Sequence, residues 1–289
     1  YYGKVYFSDT SAISSAGWIE VYDRSTKKKL IHVDADELSF DLYDNPQKAY
    51  ITKIPYEEQS AILYKDFNFD GVKDFAIIDG FRNWTLGHSF KIFLASSKRF
   101  VFSDSFTELT QDNQGMFTVN AINKTISTKS KIGDTWYQYS DYIVENNKPK
   151  LIRRHTDDYE HAPFYRETIE ELKGNKMVKT TRSSLALERY HIEECFKFHV
   201  DKVNKDIILC NFYDDRLYYV ILDAKQNVEF YYPFEELRQT SDFIFYRKNG
   251  KLTFKNKDAS YTIYDKSGKI GVDITYKGKT HQWKGNAKS

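Results

Sequence analysis

Apolar residues along this chain recur mostly at every second position, and seldom at the three-and-four spacing of a helix. Across Trp136–Val144, Trp136, Tyr142 and Val144 share one side with Gln138 and Ser140, while Tyr137, Tyr139 and Ile143 take the other. Phe90, Ile92 and Leu94 alternate in the same way, and Gly17–Tyr22 reads as a strand through Trp18, Ile19, Val21 and Tyr22. A period of two is what a pleated sheet imposes. Turn chemistry separates these runs: Glu145–Pro149, Lys173–Asn175, Asp223–Asn227, Asn249-Gly250, Ser267-Gly268 and Lys277-Gly278. Asn-Gly between alternating segments is a strong hairpin signal. The pattern predicts an all-β chain of antiparallel hairpin meanders, propeller-like or sandwich. Only Ser183–Glu194 and Glu235–Arg238 read as short helices. The polar stretch His155–Pro163 reads as a linker, which divides the chain into β domains at 1–158 and 159–289.

Composition sharpens this picture. Aromatic residues make up 17% of the 289 positions, with Tyr 23 and Phe 21. Such side chains suit half-buried sheet faces, and Tyr keeps its hydroxyl wet while its ring is covered. The net charge of +2 argues against a nucleic-acid binder, which carries a basic face or tail. No apolar run is long enough to span a membrane. The opening Tyr1-Tyr2-Gly3 lacks an initiator Met, and a removed export signal is a natural explanation. Cys195 and Cys210 fit either a single disulfide or two buried thiols.

One segment carries defined chemistry. Asp66-Phe67-Asn68-Phe69-Asp70-Gly71-Val72-Lys73-Asp74 reads Asp-x-Asn-x-Asp-Gly-x-x-Asp. Calcium takes six to eight hard oxygen ligands, and oxygens at alternate positions of a tight loop converge on one point. Asp66, Asn68 and Asp70 supply side-chain oxygens, Val72 a carbonyl, and Asp74 closes the set. Gly71 permits the sharp turn. Ile77 replaces the twelfth-position Glu of an EF-hand, and the flanks Ala61–Tyr64 and Phe75–Ile78 are strand-like. The expectation is a strand–loop–strand calcium clip with a structural role.

The search for an active site returns nothing comparable. The chain has no His-Glu-x-x-His, no Gly-x-Ser-x-Gly and no Gly-rich phosphate loop. His191, Cys195 and His199 form at most half a zinc site, and a zinc finger brings a Cys pair at short spacing. Glu57-Glu58, Glu170-Glu171 and Glu193-Glu194 are adjacent, so in a strand they point to opposite faces. The expectation is a binding protein, not an enzyme.

The calcium loop sits within a longer order of segments. Ile62–Lys65 precedes it, and Phe75–Ile78, Gly80, Asn83, Phe90–Phe102 and Phe106–Leu109 follow. Asn123–Thr128 then leads into Gly133–Tyr139, and a hairpin ends at Pro149–Ile152. Over roughly residues 55–155 this order resembles a bacterial family of periplasmic or lipid-anchored β-proteins. That family inhibits lysozyme-type peptidoglycan hydrolases, and some members are immunity proteins against secreted effectors. The resemblance implies a propeller-like, calcium-binding domain that blocks a hydrolase with a loop. On this chain it implies Asp66, Asn68, Asp70, Val72 and Asp74 as metal ligands and Lys129–Thr135 as the inhibitory turn. Within that turn Lys129, Ser130, Lys131, Gly133 and Asp134 are the partner-binding residues. It further implies a secreted effector or cell-wall hydrolase as partner, and a periplasmic or secreted location with room for a lipid anchor on the full-length precursor. The alternative is a calcium-stabilised adhesion or carbohydrate-binding module, drawn from Trp18, Trp84, Trp136 and Trp283.

Overall fold

The computed structural model describes residues 1–12, 14–39, 61–97, 99–161, 163–189, 195–212, 216–233 and 243–287. It is all-β, built from four antiparallel sheets. The chain divides into two compact units, Tyr1–Asp157 with Thr168–Thr180, and Asp158–Glu167 with Thr181–Ser289.

The first unit begins with a three-stranded sheet of β1 (Tyr2–Phe7), β2 (Ser14–Tyr22) and β3 (Lys29–Ser39). A four-stranded meander follows: β4 (Ile62–Lys65), β5 (Asp74–Asn83), β6 (Gly87–Ser96) and β7 (Arg99–Phe102). Helix α1 (Asp104–Gln111) comes next. The third sheet is β8 (Thr118–Asn120), β9 (Thr125–Ile132), β10 (Trp136–Glu145), β11 (Lys148–Asp158), β12 (Phe164–Lys173) and β13 (Lys176–Leu185), in chain order. Ile19, Val21, Ile31 and Val33 of the first sheet share one core with Ala76, Ile77, Phe90 and Ile92 of the second, and with Phe106, Phe117 and Ile126. Strand β5 is buried on both faces from Asp74 to Gly80 and forms the middle of this core.

The sequence pattern missed α1. Its reason for existing is an uncovered sheet edge. Strand β7 pairs with β6 only at Phe93–Ser96, leaving the backbone of Phe90 and Ile92 open on that side. The helix covers it with threonines: Phe90 N–H donates to Thr110 Oγ1 at 2.9 Å and Ile92 N–H to Thr107 Oγ1 at 3.0 Å. Buried backbone donors require such partners.

The second unit holds a nine-stranded sheet. It comprises β14 (Cys195–Val200), β15 (Lys205–Phe212), β16 (Arg216–Leu222), β17 (Val228–Tyr232), β18 (Ile244–Tyr246), β19 (Lys251–Asn256), β20 (Ala259–Lys266), β21 (Lys269–Tyr276) and β22 (Lys279–Ala287). The last strand returns to pair with β14 through Phe198↔Ala287 and His199↔Asn286, joining two meanders into one sheet. The expected Asn-Gly hairpin is present, with Tyr246↔Lys251 closing it and Gly250 left-handed at φ 57°.

Two expectations are corrected. His155–Asp158 continue strand β11, so the presumed linker shrinks to the turn after Asp158. Sheet hydrogen bonding uses backbone, and polar side chains do not prevent it. Ser183–Leu185 end strand β13 and Leu187–Arg189 form a turn, so no helix begins there. Residues 190–194, 235–238 and 57–58 lie outside the described residues, and with them His191, two of the acidic pairs and the second helix expectation. Within the first unit, Glu170 pairs with Arg154 at 3.0 Å and Glu171 approaches Arg153 at 3.9 Å, which is ordinary surface pairing.

Cys195 and Cys210 are free thiols directly opposite each other on β14 and β15. Burial raises both, Cys210 to about 12. At pH 8 iodoacetamide should therefore alkylate the reduced native protein at least about tenfold more slowly than the unfolded chain, because the thiolate is the reactive form. Equal rates would contradict the buried arrangement.

On the outer face of the first sheet, Glu20 accepts from Lys29 Nζ at 2.8 Å, His32 Nδ1 at 2.9 Å and Tyr22 hydroxyl at 2.5 Å. Lys29 and then Tyr22 hold its carboxyl down at about 2, against 4.5 ordinarily. A depressed folded-state pKa gives stability that is present above the unfolded value and lost as pH falls through the folded one. Melting temperatures should therefore fall between about pH 4.5 and pH 2. Glu20→Gln should lower the neutral-pH melting point and flatten that acid limb. An unchanged acid limb would contradict the role given to Glu20.

Candidate metal loop and partner-binding hairpins

The loop between β4 and β5 is built on a strand pair whose last register is Lys65↔Asp74. Phe67 and Asn68 are buried, and Val72 is exposed. The backbone turns through Phe69 at φ 63° and Gly71 at φ 88°. A Cβ at Gly71 would meet no neighbour, so conformation alone favours glycine there.

The side chains fold the loop inward. Asp66 Oδ2 accepts from Gly71 N–H at 2.9 Å, and Asp70 Oδ1 from Val72 N–H at 2.8 Å. Asn68, 6% exposed, accepts from Asp70 N–H at 3.3 Å. Its amide donates to Asp70 Oδ2 at 3.0 Å and to Asn147 Oδ1 at 3.1 Å. The second oxygen of Asp66 is buried with no hydrogen-bond partner among the described residues.

Asp74 behaves differently. Its carboxylate is fully buried, accepting from Phe67 N–H at 2.7 Å and from Ala95 N–H at 2.8 Å. It thereby fastens the loop to strand β6. Burial raises its pKa, and the negative charges of Asp70 and Asp66 add to that rise. Three carboxylates therefore crowd one loop, and nearby Lys73 places its ammonium 5.5 Å from the Tyr64 ring.

These hydrogen bonds place Asp66, Asn68 and Asp70 in one loop, but the carboxylate oxygens of Asp66, Asp70 and Asp74 do not all come within 4.8 Å of one another, and Asp74 already spends one lone pair of each oxygen on the backbone. The orphaned Asp66 oxygen is the group a divalent cation would satisfy. A buried, unpaired carboxylate oxygen is costly, and a hard cation answers both it and the mutual repulsion. The loop supplies oxygen donors of the kind such a cation takes, but its three carboxylates do not close on one point. Asn147, in the turn between β10 and β11, is an addition that no local motif signals.

The second region joins the β5–β6 turn to strand β9. Strand β9 extends to Ile132, so Lys129, Ser130 and Lys131 belong to a strand and only Gly133–Thr135 form the turn. This corrects the expectation of a seven-residue loop. Register places Lys129 opposite Tyr139 and Lys131 opposite Tyr137 on one face, with Ser130 and Ile132 on the other. Lys131 lies 3.9 Å from Asp134, and the Tyr137 hydroxyl donates to the Asp134 carbonyl at 3.1 Å.

The neighbouring β5–β6 turn, Trp84-Thr85-Leu86, is shaped by Asn83, whose side-chain oxygen accepts from Thr85 and Leu86 N–H, both at 2.8 Å. Gln114 staples this turn to β9. Its amide donates to the Thr85 carbonyl at 2.8 Å, its backbone N–H donates to the Lys129 carbonyl at 2.7 Å, and Gly115 N–H donates to the Leu86 carbonyl at 2.8 Å. Trp84 is 82% exposed and Ile132 67% exposed. The sequence singled out Trp84 only as one of four tryptophans. Nothing local reveals that Gln114 binds its turn to β9.

Calcium should raise the melting temperature, and chelation should reverse the rise. At a hundredfold excess over Kd the stabilisation is about 2.7 kcal/mol. Asp66→Ala and Asp70→Ala should abolish the response, and magnesium should reproduce little of it. A melting curve indifferent to calcium and chelator would contradict the site.

No family model matches the chain, and no curated protein does. Among solved structures, a Xanthomonas Type IV secretion system related protein is similar at 20% identity and a TM-score of 0.45, over 61% of this chain and 85% of that one. A putative 6-phosphogluconolactonase from Bacteroides uniformis follows at 9% identity and 0.22, over 97% and 80%. TolB from Acinetobacter baumannii gives 7% and 0.20, over 98% and 79%. None of these likenesses bears on function.

Proposed function

We propose that this protein is a stoichiometric binder that blocks a lysozyme-like cell-wall hydrolase or another secreted toxic effector, acting in the periplasm or outside the cell. The observation that supports this reading most is the β5–β6 turn stapled to strand β9, with Trp84 and Ile132 exposed. Trp84 and Ile132, both largely in water, are apolar anchors of the kind binding hot spots use. Gln114 and Asn83 hold the turn in place before any partner arrives, which lowers the ordering cost of association. Lys129 and Lys131 add positive charge on the other face of strand β9 from Ile132. A glycosidase cleft carries catalytic carboxylates, so opposite charge would speed and orient docking.

In this reading a calcium ion held by Asp66, Asn68 and Asp70, with Asp74 beneath, rigidifies the first unit. The reading assigns no turnover to the protein. A carbohydrate-binding role would draw on the aromatic outer face of the first sheet. There the rings are occupied with each other: Tyr2 stacks on Tyr22 at 5.2 Å and Tyr6 on Trp18 at 5.4 Å. Lys27 and Lys4 cover the Tyr2 and Tyr22 rings. Sugar stacking needs open ring faces, so the outer face of the first sheet does not favour it.

Lysis assays with lysozyme-type hydrolases, including any encoded beside this gene, test the proposal. One of them should be inhibited at one-to-one stoichiometry. Trp84→Ala and Ile132→Asp should each weaken inhibition by about tenfold or more, with unchanged melting temperatures. Absence of inhibition across the panel by folded protein, or variants as potent as the parent, would overturn it.

A further inference from the structure

The nine-stranded sheet of the second unit sends side chains from both its arms into one core. Phe198, Ile207 and Tyr219 come from β14–β16, and Phe254, Ile263 and Val272 from β19–β21. Side chains alternate along a strand, so residues two positions away share the same face. Phe196, Leu209, Leu217 and Leu252 therefore continue the core faces of β14, β15, β16 and β19 beyond Phe198, Ile207, Tyr219 and Phe254. They do not close on each other. They line a cavity of about 570 Å³ that opens to solvent.

That volume falls within the range of small-molecule sites, and the lining has their usual character of apolar walls with a few polar groups. The polar side chains among the described lining residues are Asn211 and Asp265, both exposed. Asp265 is the single ionisable side chain in that lining. Its backbone is clasped in place, with its N–H donating to the Gly250 carbonyl at 3.0 Å. Gly250 makes that approach possible. Its φ is 57°, and a Cβ there would lie 2.4 Å from the Asp265 carbonyl oxygen. The Asp265 carboxylate makes no ion pair among the described residues.

We propose that this cavity binds a small apolar molecule carrying a positive charge at one end, of the alkyl- or arylalkyl-ammonium class. The apolar body leaves water against the Phe and Leu walls, which is the driving force. The cationic end meets Asp265 at the mouth, where both groups keep much of their hydration and the desolvation cost stays small. An apolar anion of the same shape would meet like charge instead, and repulsion of that kind is how such sites discriminate. The site lies within the second unit and does not depend on the hairpin ends of the first.

Calorimetry and methyl NMR on the full chain with 4-phenylbutylammonium and 4-phenylbutyrate, which share one body, test this. The ammonium should bind about tenfold or more tightly than the carboxylate. Its binding should shift the methyls of Leu209, Leu217 and Ile263. Asp265→Asn, a change at an exposed side chain, should bring the two probes to similar affinity while leaving those methyl shifts. The proposal is overturned by no binding of the ammonium to folded protein at about 1 mM, by shifts confined to other methyls, by equal affinity for both probes, or by an Asp265→Asn variant that keeps the preference.

Discussion

The first unit depends on one buried carboxylate. Asp74 has no exposure to solvent, and its two oxygens take the amides of Phe67 and Ala95. One of those amides belongs to the loop and the other to strand β6, so a single side chain joins loop to sheet. Replacing it by an apolar residue would orphan two backbone donors in the interior. The acids at 66 and 70 then have fixed positions relative to the core. Their charges, together with burial, oppose ionisation of Asp74. The loop is thus held by an interaction that its own electrostatics weaken, a tension that the proposed cation would relieve.

Local pattern revealed what depends on neighbours in sequence. The period of two across Phe90–Leu94 and Trp136–Val144 produced strands where expected, and Asn249-Gly250 produced its hairpin. The hydrogen bonds that link Asp66, Asn68 and Asp70 to Gly71, Val72 and each other follow from their close spacing in one turn. Distant partners were not legible. Asn147 reaches Asn68 from a separate hairpin, and Ala95 reaches Asp74 from a separate strand. Helix α1 was missed because its threonines answer an open strand edge, a requirement that no local periodicity records. His155–Asp158 looked like a linker because their side chains are polar, yet sheet pairing needs only their backbone.

The proposed partner surface illustrates the same division. Exposed Trp84 and Ile132 read from sequence as ordinary members of two hairpins. What ties the turn of Trp84 to the strand that ends at Ile132 is Gln114, which donates to carbonyls of both. Rigid presentation is the useful property here, since an exposed anchor on a loose loop would spend binding energy on ordering. The second unit follows a separate logic, in which a bent sheet leaves part of its apolar face unfilled and places one acid at the opening.

Amide hydrogen exchange by NMR on the metal-free protein tests the central claim most directly. If Asp74 holds the loop, the Phe67 and Ala95 amides exchange as slowly as the β5–β6 ladder, with or without calcium. Exchange of Phe67 at the rate of an open loop, while the ladder remains protected, would contradict the account.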